Sequence, residues 1–348
     1  MEKNTRNSLQ PKSDIEGRIV RFSEMIPCKT AFIDARTPGS DRKENFCLIG
    51  QGVAENPDQI VHIEIPHGFN IGAARQPKGC KNSHHSHNTE EVFMIHSGEW
   101  EFTWGIDGQD GAITLHAGDT ISLPTHMFRG FENVGNDEAL MFSILGLEAD
   151  QTAGHVLWAP YVFEQAKGHG LVLLEDGRLI DTAAGMVVPE DGKEIVATTQ
   201  EQAEQLSRLS GEDMLKCIAT ADELDSLPKG GLSSLSGVEE IAVIGTSNPN
   251  EDIASGKMSW EHGFQMRRLR ITPGASIPDH QRSDQEVIIV QDGCVDLSTP
   301  NFDFRLNKGD LFSAPRNLSR SYKNNGTVLA DIIVIRPGNQ PVAAEFSS

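Results

Sequence analysis

The chain is 348 residues long, enough for two domains of ordinary size, and carries a formal net charge of −20. That charge argues against a nucleic-acid or anionic-membrane surface, and no apolar run approaches the ~18 residues of a spanning helix. Its five cysteines are odd in number and lack a CxxC pair, which points to free thiols in a reducing cytoplasm.

Residues 1–40 read as an N-terminal arm. A polar, mobile tail runs to about residue 17. Two short apolar pieces follow, Ile19-Val20 and Ala31-Phe32-Ile33, with the composition of edge strands. Residues 37–45 read as a loop, residues 46–49 and 61–65 as strands, and Pro66-His67-Gly68 as a turn.

The stretch 79–98, GCKNSHHSHNTEEVFMIHSG, then concentrates ligating side chains. His85 and His87 lie two apart, so on an extended strand they share a face. Asn88-Thr89 has turn chemistry, and Glu91 opens an apolar run over residues 92–95. Two imidazoles and one carboxylate converging in this way make a facial triad. That set suits a divalent first-row metal, Fe(II) or Mn(II) especially, and leaves positions open for water, oxygen or substrate. His84 falls on the opposite face of the strand, and His96 is out of phase with Glu91, Phe93 and Ile95, so neither joins the set. Arg75, Gln76 and Lys78, just before the ligand strand, are weaker candidates for reaching it.

The spacing Gly79-x5-His85-x-His87-x3-Glu91-x6-Gly98 resembles the first motif of the cupin superfamily. The second motif follows in altered form, Gly118-x5-Pro124-x-His126-x2-Arg129-x3-Asn133. Arg129 stands where the resemblance implies a fourth, histidine ligand, and His126 stands at a small Gly position. Arg129 either points into the barrel, pairing with a substrate carboxylate or with Glu91, or turns outward while His126 completes the ligand set.

Trp100, Phe102 and Trp104 alternate with polar residues and so share one face of a strand. They read as barrel core, or as an aromatic wall that packs on a flat or apolar substrate beside the metal. Residues 105–111 read as a hairpin loop, and residues 113–115, 119–123, 127–131 and 140–145 as further strands. Many short strands at regular spacing point to a small antiparallel barrel or jelly roll. Residues 168–238 form a connector. It holds a hairpin with an Asp176-Gly177 turn, a helix over 199–209 capped by Thr199 with Gln202 and continuing to 218, and a Pro/Gly/Ser-rich linker over 227–237.

The last third repeats the first. Gly274-x5-His280-x-Arg282-x3-Glu286-x6-Gly293 overlays the first motif at an offset of 195 residues, and Gly309-x5-Pro315-x-Asn317-x2-Arg320-x3-Asn324 overlays the second at 191. The lost residues fall in the hairpin loop at 298–303. The resemblance therefore implies an all-β bicupin: two cupin jelly-roll (double-stranded β-helix) barrels, 41–167 and 239–340, with a partly helical connector. In the second copy a guanidinium, Arg282, replaces a ligand and cannot hold a cation. That barrel reads as metal-free, with Arg282 pairing to Glu286, in preference to an anion pocket formed by Arg282 and Arg320. Arginine at both Arg129 and Arg320 favours a shared salt bridge inside each barrel.

For function, similarity to cupin dioxygenases implies a metal-dependent oxidoreductase acting on a small aromatic or carboxylate-bearing substrate. His85, His87 and Glu91 hold Fe(II) in this reading, with Mn, Ni or Zn the other candidates. Arg129 orients the acid group, and Trp100, Phe102 and Trp104 exclude water. The second reading uses the ion as a Lewis acid in an isomerase, lyase or decarboxylase, with His126 or Glu90 carrying the proton. The third is a non-enzymatic small-molecule-binding bicupin. A homodimer is compatible with the resemblance; nucleic acid and membrane are not expected partners.

Overall fold

The computed structural model describes residues 14–150 and 152–347, so most of the expected N-terminal tail lies outside the described residues. Each half of the repeat folds into two facing sheets, antiparallel throughout except that Val61–Ile63 runs parallel to Glu44–Ile49 at one edge. In the first half, strands Thr120–Leu123, Glu91–Ile95, Ala139–Leu145, Asn70–Gln76 and Glu44–Ile49 run side by side in one sheet. Strands Lys81–Ser86, Arg129–Asn133, Glu99–Trp104 and Gly111–His116 form the other. The second half repeats the pattern, with Leu311–Ala314, Glu286–Asp292, Ala330–Pro337, Phe264–Ile271 and Val238–Ile244 in its larger sheet.

The larger sheets pack against each other, which explains why Glu91–Ile95 is buried at every position. Phe93 and Ile95 face the interior of the first barrel with Trp100, Phe102 and Trp104. Val92 and Met94 face the other way, into a core shared with Val287, Ile289, Leu311 and Ile333 of the second barrel. A strand buried on both faces reads as a continuous apolar run rather than an alternation.

This contact is pseudo-symmetric at the offsets of the sequence repeat. His67 Nε2 lies 2.6 Å from Ser313 Oγ, and its counterpart His262 Nε2 lies 2.7 Å from Ser122 Oγ. In each histidine Nδ1 meets a backbone carbonyl two residues earlier, Ile65 O or Trp260 O, so Nε2 is the acceptor and the serine donates. Phe69 meets Phe264 at 5.8 Å, and His96 meets Gln291, each pair again related by the repeat. The two barrels thus meet as an isologous dimer does, within one chain.

Segments outside the two barrels extend their larger sheets. Ile19–Val20 joins the second barrel's sheet beside Leu311–Ala314, while connector strand Ile218–Ala219 joins the first barrel's sheet beside Thr120–Leu123. The apolar piece 31–33 is a buried turn and not an edge strand; the Glu55 carboxylate accepts Ile33 N–H, and Ala31 O accepts from Glu55 N–H. The helix begins at the expected Thr199 capping box but spans only Gln200–Glu204. A second helix, Gly211–Lys216, starts afresh on a Ser210 cap. The chain breaks between them because Ser207 N–H donates to His126 O, tying the connector to the first barrel. A helix at Pro160–Gly168 escaped sequence reading, although Pro160 at its first position and Lys167 in its last turn are ordinary boundary signals. The linker region carries a short strand, Lys229–Gly230, and a turn of 3-10 helix, Gly231–Ser234, both against Val238–Ile244. No helix among the described residues is long and apolar enough to cross a membrane.

Candidate metal centre

His85 sits on strand Lys81–Ser86, between Arg129 of one neighbouring strand and Trp158 of the other. His87 follows directly after that strand, and Glu91 opens the next one on the facing sheet. The chain then crosses back to the sheet of His85 through Gly98, at φ +80°, where an added Cβ would stand 2.3 Å from the Ala139 Cβ. Glycine is needed there for both conformation and space.

One ligand atom from each of His85, His87 and Glu91 lies within 4.8 Å of the others, and all three residues are buried. Among the described residues this is the one such group of three or more His, Cys, Asp or Glu side chains. Two opposed metal–ligand bonds of ~2.1 Å span ~4.2 Å, so small side-chain movements suffice to close on one ion. His85 Nδ1 lies 2.8 Å from Ser83 O. A carbonyl oxygen only accepts, so Nδ1 carries the proton and the Nε2 lone pair is left free. Burial, and then the Arg129 charge, lowers both histidine pKa values well below the usual range. Both rings are therefore neutral, as ligation requires. These residues fit a divalent metal.

Arg129 is fully buried. Its Nη2 lies 2.5 Å from Glu91 Oε2, and its Nη1 donates to Met127 O. The second barrel repeats this: Arg320 Nη2 donates to Glu286 Oε1 and Nη1 to Leu318 O. Arg129 thus pairs with Glu91 and forms no part of the cavity wall. Burial raises the Glu91 pKa although Arg129 opposes it.

His126 is exposed and does not complete the ligand set. Its backbone is left-handed, φ 56°, as is that of its counterpart Asn317 at 59°. The small Gly position of the motif is therefore a turn that points the side chain away. The expected aromatic wall is also placed elsewhere. Trp100, Phe102 and Trp104 are core residues that line none of the cavity, and the Trp100 and Trp104 indoles donate to Ser97 O and Leu209 O. Their shared strand face points into the packed end of the barrel, where Phe131 meets Trp100 and Phe102.

His84 lies outside the centre, hydrogen-bonded to Tyr161 and Thr103, and His96 lies at the contact between barrels. Arg75 pairs with Glu44, Lys78 is exposed beside Asn136, and Gln76 is buried away from the cavity. Glu90 borders a different cleft, between the barrels.

The three ligands open on a cavity of about 70 Å³, space for about five waters at roughly 10–15 Å³ each. Its walls are largely apolar, with Phe46, Ile71, Phe93, Leu145, Val156 and Trp158 prominent. Gly72 clears its floor: a Cβ there would meet Ser143 Oγ at 2.9 Å. Sequence reading missed several supporting residues because nothing in their local pattern marks them. Trp158 packs 5.2 Å from His85, and its indole donates to Glu55. Burial pushes the Glu55 carboxyl up to about 8 against that hydrogen bond and the one from Ile33. Buried Lys43 pairs with buried Asp34 and donates to Asn82.

In the second barrel the corresponding space is occupied by charge. By strand register, Gly72, Leu145 and His87 correspond to Arg267, Arg336 and Arg282. Arg282 pairs with Glu251 and Glu286, Arg320 and Arg336 also hold Glu286, and Arg336 reaches Glu240. Burial alone would raise the Glu286 pKa; the three arginines outweigh it and hold that carboxyl well below its usual range. The expected Arg282–Glu286 pair is present, inside a larger ionic plug.

A family model described as a cupin domain matches residues 74–145 and again 267–336. Polyketide synthase CurC of Streptomyces cyaneus is 32% identical over 120 residues, covering 34% of this chain and 75% of that protein. A germin-like protein, subfamily 2 member 1, of Arabidopsis thaliana is 35% identical over 92 residues, covering 24% of this chain and only 42% of that protein. Among solved structures, an oxalate decarboxylase variant of Bacillus subtilis aligns over 97% of this chain and 80% of its own, with TM-score 0.54 and 11% identity. Vicilin of Corylus avellana aligns over 93% and 86%, with TM-score 0.52 and 11% identity. Identities that low speak to the fold alone.

Proposed function

The chain belongs to the cupin superfamily as a two-barrel member, and from that premise we propose that its N-terminal barrel is the centre of a metal-dependent oxidoreductase, a dioxygenase acting on a small anionic substrate. One observation carries this reading. Among the cavity-lining residues, the titratable groups are the three ligands and Cys47, whose thiol burial pushes up to about 12. The proton carriers that an isomerase or lyase needs are elsewhere, His126 in solvent and Glu90 on another cleft.

When bound at His85, His87 and Glu91, a redox-active ion such as Fe(II) supplies electron transfer between substrate and O2. The chain's own residues supply the rest. Arg129 balances the charge of Glu91, so the ligand set presents no net negative charge and favours an anionic oxygen on the substrate. Phe93, Val156 and Trp158 keep water out. No lysine or arginine lines the cavity, which argues for a monoanion over a dianion such as oxalate.

Iron-loaded protein is to be screened with small keto acids and phenolic acids while O2 and CO2 are followed. One O2 consumed per product is the expected result. Turnover with CO2 release and no O2 uptake would overturn the dioxygenase reading in favour of the decarboxylase.

A further inference from the structure

Most polar groups in a protein interior find partners, and those that do not call for an explanation. Two buried amide donors in the metal cavity are in that position, and the half-buried Gln59 there leaves an acceptor, Oε1, unpaired. Asn45 is buried, lines the cavity, and its Nδ2 has no hydrogen-bond partner. Asn82 is also buried and lines the cavity. Its orientation is set by Lys43, whose Nζ lies 2.6 Å from Asn82 Oδ1. An ammonium only donates, so the oxygen must face it and the NH2 must face the other way. That NH2 lies 3.3 Å from His85 Nδ1. The same ring nitrogen already donates its proton to Ser83 O at 2.8 Å, and two donors facing each other make no bond. The Asn82 NH2 is therefore a donor without an acceptor, beside a metal ligand.

Lys43 is held in turn by Asp34, and Asp34 Oδ2 accepts from Ser83 N–H on the ligand strand. All of Lys43 and Asp34 is sequestered from solvent. A buried ion pair that orients one amide is a costly device, which is in keeping with a positioning role. The second barrel gives the contrast. At the offset of 195 its residues at these positions are Glu240 and Ile277. The copy without the metal group lacks both amides.

We infer that Asn45 and Asn82 recognise the substrate, their amide N–H groups binding a neutral oxygen acceptor, a carbonyl or hydroxyl, on a molecule whose anionic oxygen faces His85, His87 and Glu91. This rests on the reading of the barrel as a metal centre. Uncharged donors in an apolar cavity suit a neutral oxygen, because a second full charge would lie there without a counter-ion. The substrate class is thus a small monoanion with a second, uncharged oxygen, such as a 2-keto acid or the enolate of a dicarbonyl compound.

The test is calorimetric titration of metal-loaded protein with pyruvate and with propanoate, monoanions of equal length that differ in one carbonyl oxygen. Wild type is expected to bind pyruvate about tenfold tighter, the value of one hydrogen bond to an otherwise unsatisfied donor. Asn82→Leu and Asn45→Leu should each cut that preference about threefold. Asn45→Leu should not lower the melting temperature of the ligand-free protein, since its Nδ2 has no partner to lose. This second variant keeps the inference open to refutation if Asn82→Leu fails to fold. A preference that survives in both variants would mean that the metal alone chelates the carbonyl, and would overturn the inference. So would its absence from wild type. Metal content measured on the same samples separates the two claims: full occupancy without preference overturns this inference only, and no occupancy overturns the metal centre with it.

Discussion

Replacing Arg129 by methionine probes how the centre balances charge. The guanidinium is fully buried, 2.5 Å from a carboxylate that is itself buried. Removing one partner of such a pair leaves the other uncompensated, at a cost of ~3–5 kcal/mol in metal-free protein. Met127 O also loses its donor, while the unsatisfied Arg129 Nε is removed; these smaller effects oppose each other at about 1 kcal/mol each. With an ion bound, Glu91 has a counter-charge again, and the loss should shrink to ~1–2 kcal/mol. The difference, roughly 2–3 kcal/mol, must appear by linkage as tighter metal binding by the folded variant, ~30- to 150-fold. Urea midpoints with and without metal, and competition against a chelator, measure the two sides of that cycle. Weaker metal binding by Arg129→Met would refute the reasoning, because Arg129 would then be holding Glu91 in place for ligation and not merely balancing it.

Arg282→His restores the histidine pair of the second copy, yet metal content should stay at one ion per chain, because Arg320 and Arg336 still hold Glu286; a second equivalent on elemental analysis would count against the plug. Trp104→Ala should lower stability by ~3–5 kcal/mol as a core deletion with metal content unchanged, whereas altered substrate binding at intact stability would return it to the cavity wall. Burial lowers the pKa of His67, and lowers those of His96 and His262 to about 4. The contribution of His96 and His262 is therefore complete above pH ~6.5, the unfolded value, and is lost as pH falls toward 4, and His67 acts in the same direction. The urea midpoint of metal-loaded protein should drop between pH 7 and pH 5, and replacing His67 and His262 by glutamine should flatten that slope.

The grouping of His85, His87 and Glu91 was legible because its signal is local: a pair on one strand face, a turn, and a carboxylate at fixed spacing. The repeat was legible for the same reason, and its offsets also relate the Ser–His pairs between the barrels. What stayed hidden depends on contacts distant in sequence. Nothing near Arg129 says that its partner is Glu91, although arginine at both copies pointed to a shared internal salt bridge. Period-two alternation put Trp100, Phe102 and Trp104 on one face correctly but carries no information on which end of the barrel that face meets. His126 was misjudged because a left-handed turn is a property of the backbone, and histidine is an uncommon residue to find there. Lys43 and Asn45 lie outside the ligand motif, and only the closed barrel brings them to it, while Asn82 lies within the motif on the His85 strand, at a position that the spacing leaves unspecified.

The most direct test of the central claim is elemental analysis of the purified protein beside His85→Ala and His280→Ala. One metal ion per chain is expected, lost in His85→Ala and retained in His280→Ala. Metal retained in His85→Ala, or lost only in His280→Ala, would contradict it.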